Sequence, residues 1–123
     1  MYSARGSEAS PTATQDGDDL GRIAFQGYDT GRSKGAQLKA TASGDWGNDS
    51  SDNPTDLLFL TIPDGSGTLT ERMRIDKDGN VGIGIDEPGK YLSVKDSFEI
   101  VATGANPQFN IERVGDGAYK MSV

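Results

Sequence analysis

Along most of the chain the apolar residues fall on every second position, the spacing of side chains that share one face of a β-strand. In LGRIAFQGYD, Ile23 and Phe25 oppose Arg22, Ala24 and Gln26, and Gly27 is expected to end the strand. GAQLKATA repeats the alternation with Ala36, Leu38, Ala40 and Ala42 on one side, small residues that suggest close packing. DLLFLTIP is instead a continuous apolar run stopped by Pro63, which fits a strand covered on both faces. In ERMRI, Met73 and Ile75 alternate with Arg72 and Arg74, and the Asp78-Gly79 pair that follows has the chemistry of a tight hairpin turn. ERMRID and NVGIGI are therefore expected to pair. YLSV, FEIVA, QFNIERV and YKMSV are shorter strand candidates, and Ser43–Pro54, dense in turn formers, is the longest loop candidate, with Trp46 inside it. No segment shows a helical period. The expected fold is all-β, built of short antiparallel strands and hairpins. It divides into an extended or flexible segment over 1–19, a β-rich module over 20–94 and a short β segment over 95–123.

Glycine breaks the pattern in RIDKDGNVGIG. Val81, Ile83 and Ile85 point one way, while Gly82 and Gly84 leave the other face bare. Glycine loses more backbone entropy on folding than any other residue and has nothing to pack, so a strand that uses it twice is either bulged or approached closely. The close approach, by a neighbouring strand or another subunit's backbone, is the stronger reading.

Composition changes the picture in one respect. Of 123 residues only 33% are hydrophobic and 17 are Gly, a thin supply for one spherical core, and several copies sharing a core would relieve the shortage. The formal charge of −7 argues against a phosphate-binding surface, so nucleic acid is not an expected partner. The chain has neither Cys nor His, which removes thiolate chemistry, most transition-metal sites and the commonest general base. There is no apolar run of membrane-spanning length, so no membrane insertion is expected, and no secretion signal. DKDGN, Asp76–Asn80, has the alternating oxygen side chains of a calcium loop but lacks the spaced bidentate Glu, and a hairpin turn accounts for it without a metal. GNVGIG has neither the spacing nor the following helix of a nucleotide-binding loop. No cofactor, metal or catalytic residue is assigned.

TERMRIDKDGNVGIGIDEPGKYLSV, Thr70–Val94, closely resembles a module found in tail fibres and tail spikes of tailed bacteriophages, often upstream of a self-cleaving intramolecular chaperone. SARGSEASPTATQDGDDLGRIAFQGYD and TIPDGSG resemble the preceding segments of the same family, in order, so the resemblance runs from Ser3 to Val94. One departure is Ile85, where the family usually has Thr. The resemblance implies a virion fibre component, made in the host cytoplasm and extracellular after release. It would be an elongated, intertwined homotrimer that joins other phage tail proteins. In such a trimer Val81, Ile83, Leu92 and Val94 of each copy would converge on an axial core, with Gly82 and Gly84 permitting close packing. Nothing after Val94 is long enough to be the chaperone domain, so no self-cleavage is carried over. Met1 suits a complete small protein as well as one piece of a longer fibre.

Fibres of this kind bind polysaccharide or protein at the host surface, and aromatic side chains suit sugars because their apolar faces stack on pyranose rings. Trp46 and Tyr28 are the candidate receptor contacts, Trp46 with the alternative that it folds back over the sheet edge. Tail spikes also include glycosidases that use paired carboxylates. Asp16, Asp18 and Asp19, and Asp45, Asp49, Asp52 and Asp56, form two acidic loops whose simpler role is solvated charge. The expected function is a structural and adhesive fibre segment that is not an enzyme. The alternatives are a polysaccharide depolymerase fragment, or a subunit of an extracellular filament built from the same module.

Overall fold

The computed structural model describes residues 5–7, 10–28, 30–47 and 51–99. Every regular element in them is a strand: β1 (Arg5–Ser7), β2 (Ser10–Thr12), β3 (Asp19–Tyr28), β4 (Arg32–Ala42), β5 (Thr55–Thr61), β6 (Thr70–Ile75), β7 (Val81–Ile83) and β8 (Leu92–Val94). β1 and β2 pair as a small antiparallel ladder, within the segment expected to be extended chain or loop. The other six form one sheet in sequence order, β3-β4-β5-β6-β7-β8. β3 to β7 is an antiparallel meander, the arrangement that short polar connections between alternating strands favour.

Two strand ends differ from expectation. β3 continues through Gly27, which pairs with Ser33, to Tyr28, which pairs with Arg32. A glycine next to a hairpin loop loses little packing, because its missing side chain would have met nothing within 4 Å. β7 stops at Ile83, since Gly84 turns into the left-handed region with φ of 70°. The chain then crosses over to β8, which lies parallel to β7, in place of the antiparallel arrangement expected throughout. The crossover holds because Val81 N–H donates to Tyr91 O and Lys95 N–H donates to Ile83 O, at 2.9 and 3.0 Å. FEIVA, QFNIERV and YKMSV lie outside the described residues, save for Phe98 and Glu99, which belong to no strand.

The interior is thin. Among the described residues only Ala42 and Leu58 are buried hydrophobics, and the buried polar groups are Thr14 and Asp56. A lone sheet has two faces, and burial needs something against each.

Candidate self-association face

Cross-strand partners share a face, so the register fixes which side chains lie together. One row crosses all six strands: Ile23, Leu38, Phe59, Met73, Ile83 and Val94. Two residues along, Ala40, Leu57, Ile75, Val81 and Leu92 form a second row on the same side. The two rows make a continuous apolar face from one edge of the sheet to the other. Among the described residues it stays open: Ile23 is 57% exposed, Phe25 59%, Ile83 42% and Leu92 54%. Soluble monomers rarely leave a contiguous apolar patch of this kind uncovered. DLLFLTIP, expected to be covered on both faces, shows the asymmetry within one strand, for Leu58 is 7% exposed and Phe59 37%. Leu58 points to the opposite side, between its cross-strand partners Lys39 and Arg74, whose aliphatic stems can cover it.

That opposite side is polar, and around Asp56, Leu58 and Gly82 it is buried by the chain itself. Arg74 there donates from Nε and Nη2 to the two carboxylate oxygens of Glu71, both at 2.7 Å, and from Nη1 to Asp56 at 3.0 Å. The Glu71 hydrogen bonds are the main reason the Arg74 pKa is raised, against a partial desolvation that lowers it and with the charges of Glu71, Asp56 and Asp86 adding to the rise. Asp56 is buried and accepts a second hydrogen bond, from Lys77 N–H at 2.9 Å. It therefore ties β5 to both β6 and the turn that follows. In that turn Asp76 Oδ1 accepts from the amides of Asp78 and Asn80, and Oδ2 accepts from the Asn80 side chain. Desolvation alone would raise the Asp76 pKa, but the hydrogen bonds from Asn80 and Asp78, with the charge of Lys77, hold it below its ordinary value. The Asp76 oxygens of DKDGN are thus engaged by the turn's own N–H groups.

The glycines of NVGIGI separate here. Gly82 is buried on the polar side, where a Cβ would stand 2.5 Å from the Ile85 carbonyl oxygen and 3.4 Å from Pro88 Cβ. A close approach does take place, and the backbone that makes it is the chain's own. Gly84 serves the turn, its N–H donating to Arg72 O at 2.9 Å. Of the six residues assigned to trimer packing, Val81, Ile83, Leu92 and Val94 lie together on the open face, while Gly82 and Gly84 belong to the crossover behind it. Sequence reading did not single out Ile23, Phe25, Leu38 and Phe59 as part of that face. Their alternation was visible, but the register that aligns them with Ile83 and Val94 was not.

Trp46 is half-buried, with its indole N–H donating to Pro54 O at 3.2 Å and its backbone N–H donating to Thr14 O. Tyr28 stands 84% exposed at the end of β3. The acidic loops are engaged locally. Asp16 N–H donates to Asp45 Oδ1, Gln15 N–H donates to Asp18 Oδ2, and Asp19 pairs with Lys39 at 2.6 Å. Asp49 lies outside the described residues. No group of three or more acidic side chains arranged to hold a metal occurs among the described residues.

No protein-family model and no curated protein matches this chain. The fold is that of a bacteriophage tail-fibre domain. The chain is similar to the carboxy-terminal domain of the bacteriophage T5 L-shaped tail fibre, with TM-score 0.59 and 24% identity, over 90% of this chain and 41% of that one. It is likewise similar to the form of that domain that carries its intramolecular chaperone domain, with TM-score 0.58 and 22% identity, over 94% of this chain and 32% of that one. At these identities the likeness is one of fold, and the chain spans less than half the length of either structure.

Proposed function

We propose that this chain is a structural and adhesive segment of a bacteriophage tail fibre, a virion component that assembles as a homotrimer through the open face of its six-stranded sheet. The observation that carries the reading is the unbroken apolar face, Ile23 to Val94, beside an interior that among the described residues holds only Ala42 and Leu58 as buried hydrophobics. Covering half-exposed residues such as Ile23, Phe25 and Leu92 with copies of themselves would stabilise the assembly by about 1 kcal/mol each. The tail-fibre fold supports the same role, and other phage tail proteins are the further partners it suggests. The segment acts by shape and attachment and performs no chemistry. Tyr28 is the stronger of the two candidate receptor contacts, because Trp46 already spends its indole N–H on Pro54. Analytical ultracentrifugation of the full chain tests the proposal, with a trimer expected across the micromolar range. A well-folded monomer would overturn it, and open-ended filaments in electron micrographs would replace the discrete trimer by a polymer.

A further inference from the structure

The cations of this acidic chain are not equally engaged. Arg22 and Lys39 meet Asp19, and Arg74 meets Glu71 and Asp56. Arg72 and Lys95 have no ion-pair partner among the described residues, yet the fold brings them to one place. Arg72 is the extra residue of a β-bulge in β6, because Phe59 pairs with Met73 and Leu60 with Glu71. Bulges re-aim a side chain. Its Nε donates to Thr61 Oγ1 at 2.9 Å, which fixes the guanidinium, and among the described residues neither Nη group has a partner. Gly84 links the two cations: its N–H donates to Arg72 O, and Lys95 Cβ lies 3.3 Å from where a Gly84 Cβ would be. Both line a pocket of about 340 Å³ whose walls also include Thr70 and Asp86.

We propose that this pocket is a binding site for an acidic saccharide, with the ligand's carboxylate or phosphate seated between Arg72 and Lys95. A planar guanidinium presents paired N–H donors that match the oxygens of either anion, and an ammonium adds a mobile point charge. Glu71 and Arg74 share the wall as a bidentate pair, the guanidinium offsetting the carboxylate charge. Asp86, which has no ion pair among the described residues, and the Thr70 hydroxyl supply acceptors for sugar hydroxyls, and a carboxylate in the wall disfavours a bare multivalent anion. The absence of a side chain at Gly84 keeps the floor between the cations open. Neither Tyr28 nor Trp46 lines this pocket, which adjoins the apolar face at Thr61 and Thr70.

The test is a titration of the isotopically labelled full chain, followed by amide NMR shifts at constant ionic strength. The probes are glucuronic acid, glucose 6-phosphate, glucose and inorganic phosphate. Saturable shifts centred on Arg72, Gly84 and Lys95 are expected with the two acidic sugars, and the stronger of the two identifies the anion. The double variant Arg72→Gln/Lys95→Gln should weaken binding roughly tenfold or more, as loss of charge-assisted hydrogen bonds does. A Lys34→Gln control should leave binding unchanged, and circular dichroism verifies that each variant is folded. Equal binding of glucose, equal binding of inorganic phosphate, an unaffected double variant, or shifts scattered over every lysine would each overturn the proposal.

Discussion

The two faces of the sheet are made by the same strands and finished by different means. On the polar face the chain closes over itself: the crossover after β7 lays the Ile85 carbonyl on Gly82, and Arg74 gathers Glu71 and Asp56. On the apolar face Ile23, Phe25, Ile83 and Leu92 stay about half-exposed among the described residues. The difference teaches that a small hydrophobic content is placed largely on one side of the sheet. A face secured by hydrogen bonds and ion pairs needs few apolar residues, and the apolar residues are then concentrated where a second surface has to cover them.

The strongest way to break this contrast is Gly82→Val. A side chain there meets the backbone of Ile85, which cannot move without releasing the crossover, so a loss of about 3 kcal/mol is expected. Because the clash lies within one chain, the urea midpoint should fall equally at high and low protein concentration. A midpoint loss confined to dilute samples would show instead that Gly82 packs against another subunit.

Next in size is the open face. Ile23→Lys combined with Ile83→Lys should raise the dissociation constant of the assembly by roughly a hundredfold, since two half-exposed side chains lose burial worth about 1 kcal/mol each and two charges are placed at the seam. Sedimentation velocity reads the change, and the β-rich circular dichroism should persist. The polar face predicts the opposite for Asp56→Asn. That change weakens the tie from β5 to Arg74 and Lys77 and should cost about 2 kcal/mol with the order of the assembly unchanged, measured by urea unfolding at fixed concentration.

The smallest effect concerns pH. The Asp76 carboxyl titrates below its ordinary 3.8 in the folded chain, so its contribution is full above that value and disappears as pH falls through the lower folded pKa. Unfolding midpoints measured between pH 6 and 2.5 should include this acid-limb loss, and Asp76→Asn should flatten that part of the profile. An unchanged acid limb in the variant would show that the turn amides do not favour the ionised form.

Much of the meander was legible because alternation is a local property. Ile23 with Phe25, Leu38 with Ala40, and Met73 with Ile75 each declare a strand from their spacing, and Asp78-Gly79 declares the turn between β6 and β7. The end of β7 was not legible, because Val-Gly-Ile-Gly-Ile reads as one strand until Gly84 adopts a positive φ. The role of the candidate packing residues was half legible. Val81, Ile83, Leu92 and Val94 were recognisable as apolar, but Gly82 announces only that something comes near and not which chain it belongs to.

By itself the sequence determined that the chain is built of strands, where most of them lie, and that its apolar residues are too few for a spherical core, since all three follow from spacing and composition. Only the tertiary structure decided which strands are neighbours, that β8 runs parallel to β7, and that Gly82 is covered from within. Pairing brings together residues far apart in the chain, and a shift of one residue in register would send every side chain to the other face. The open apolar surface is therefore a product of register and not of any single segment.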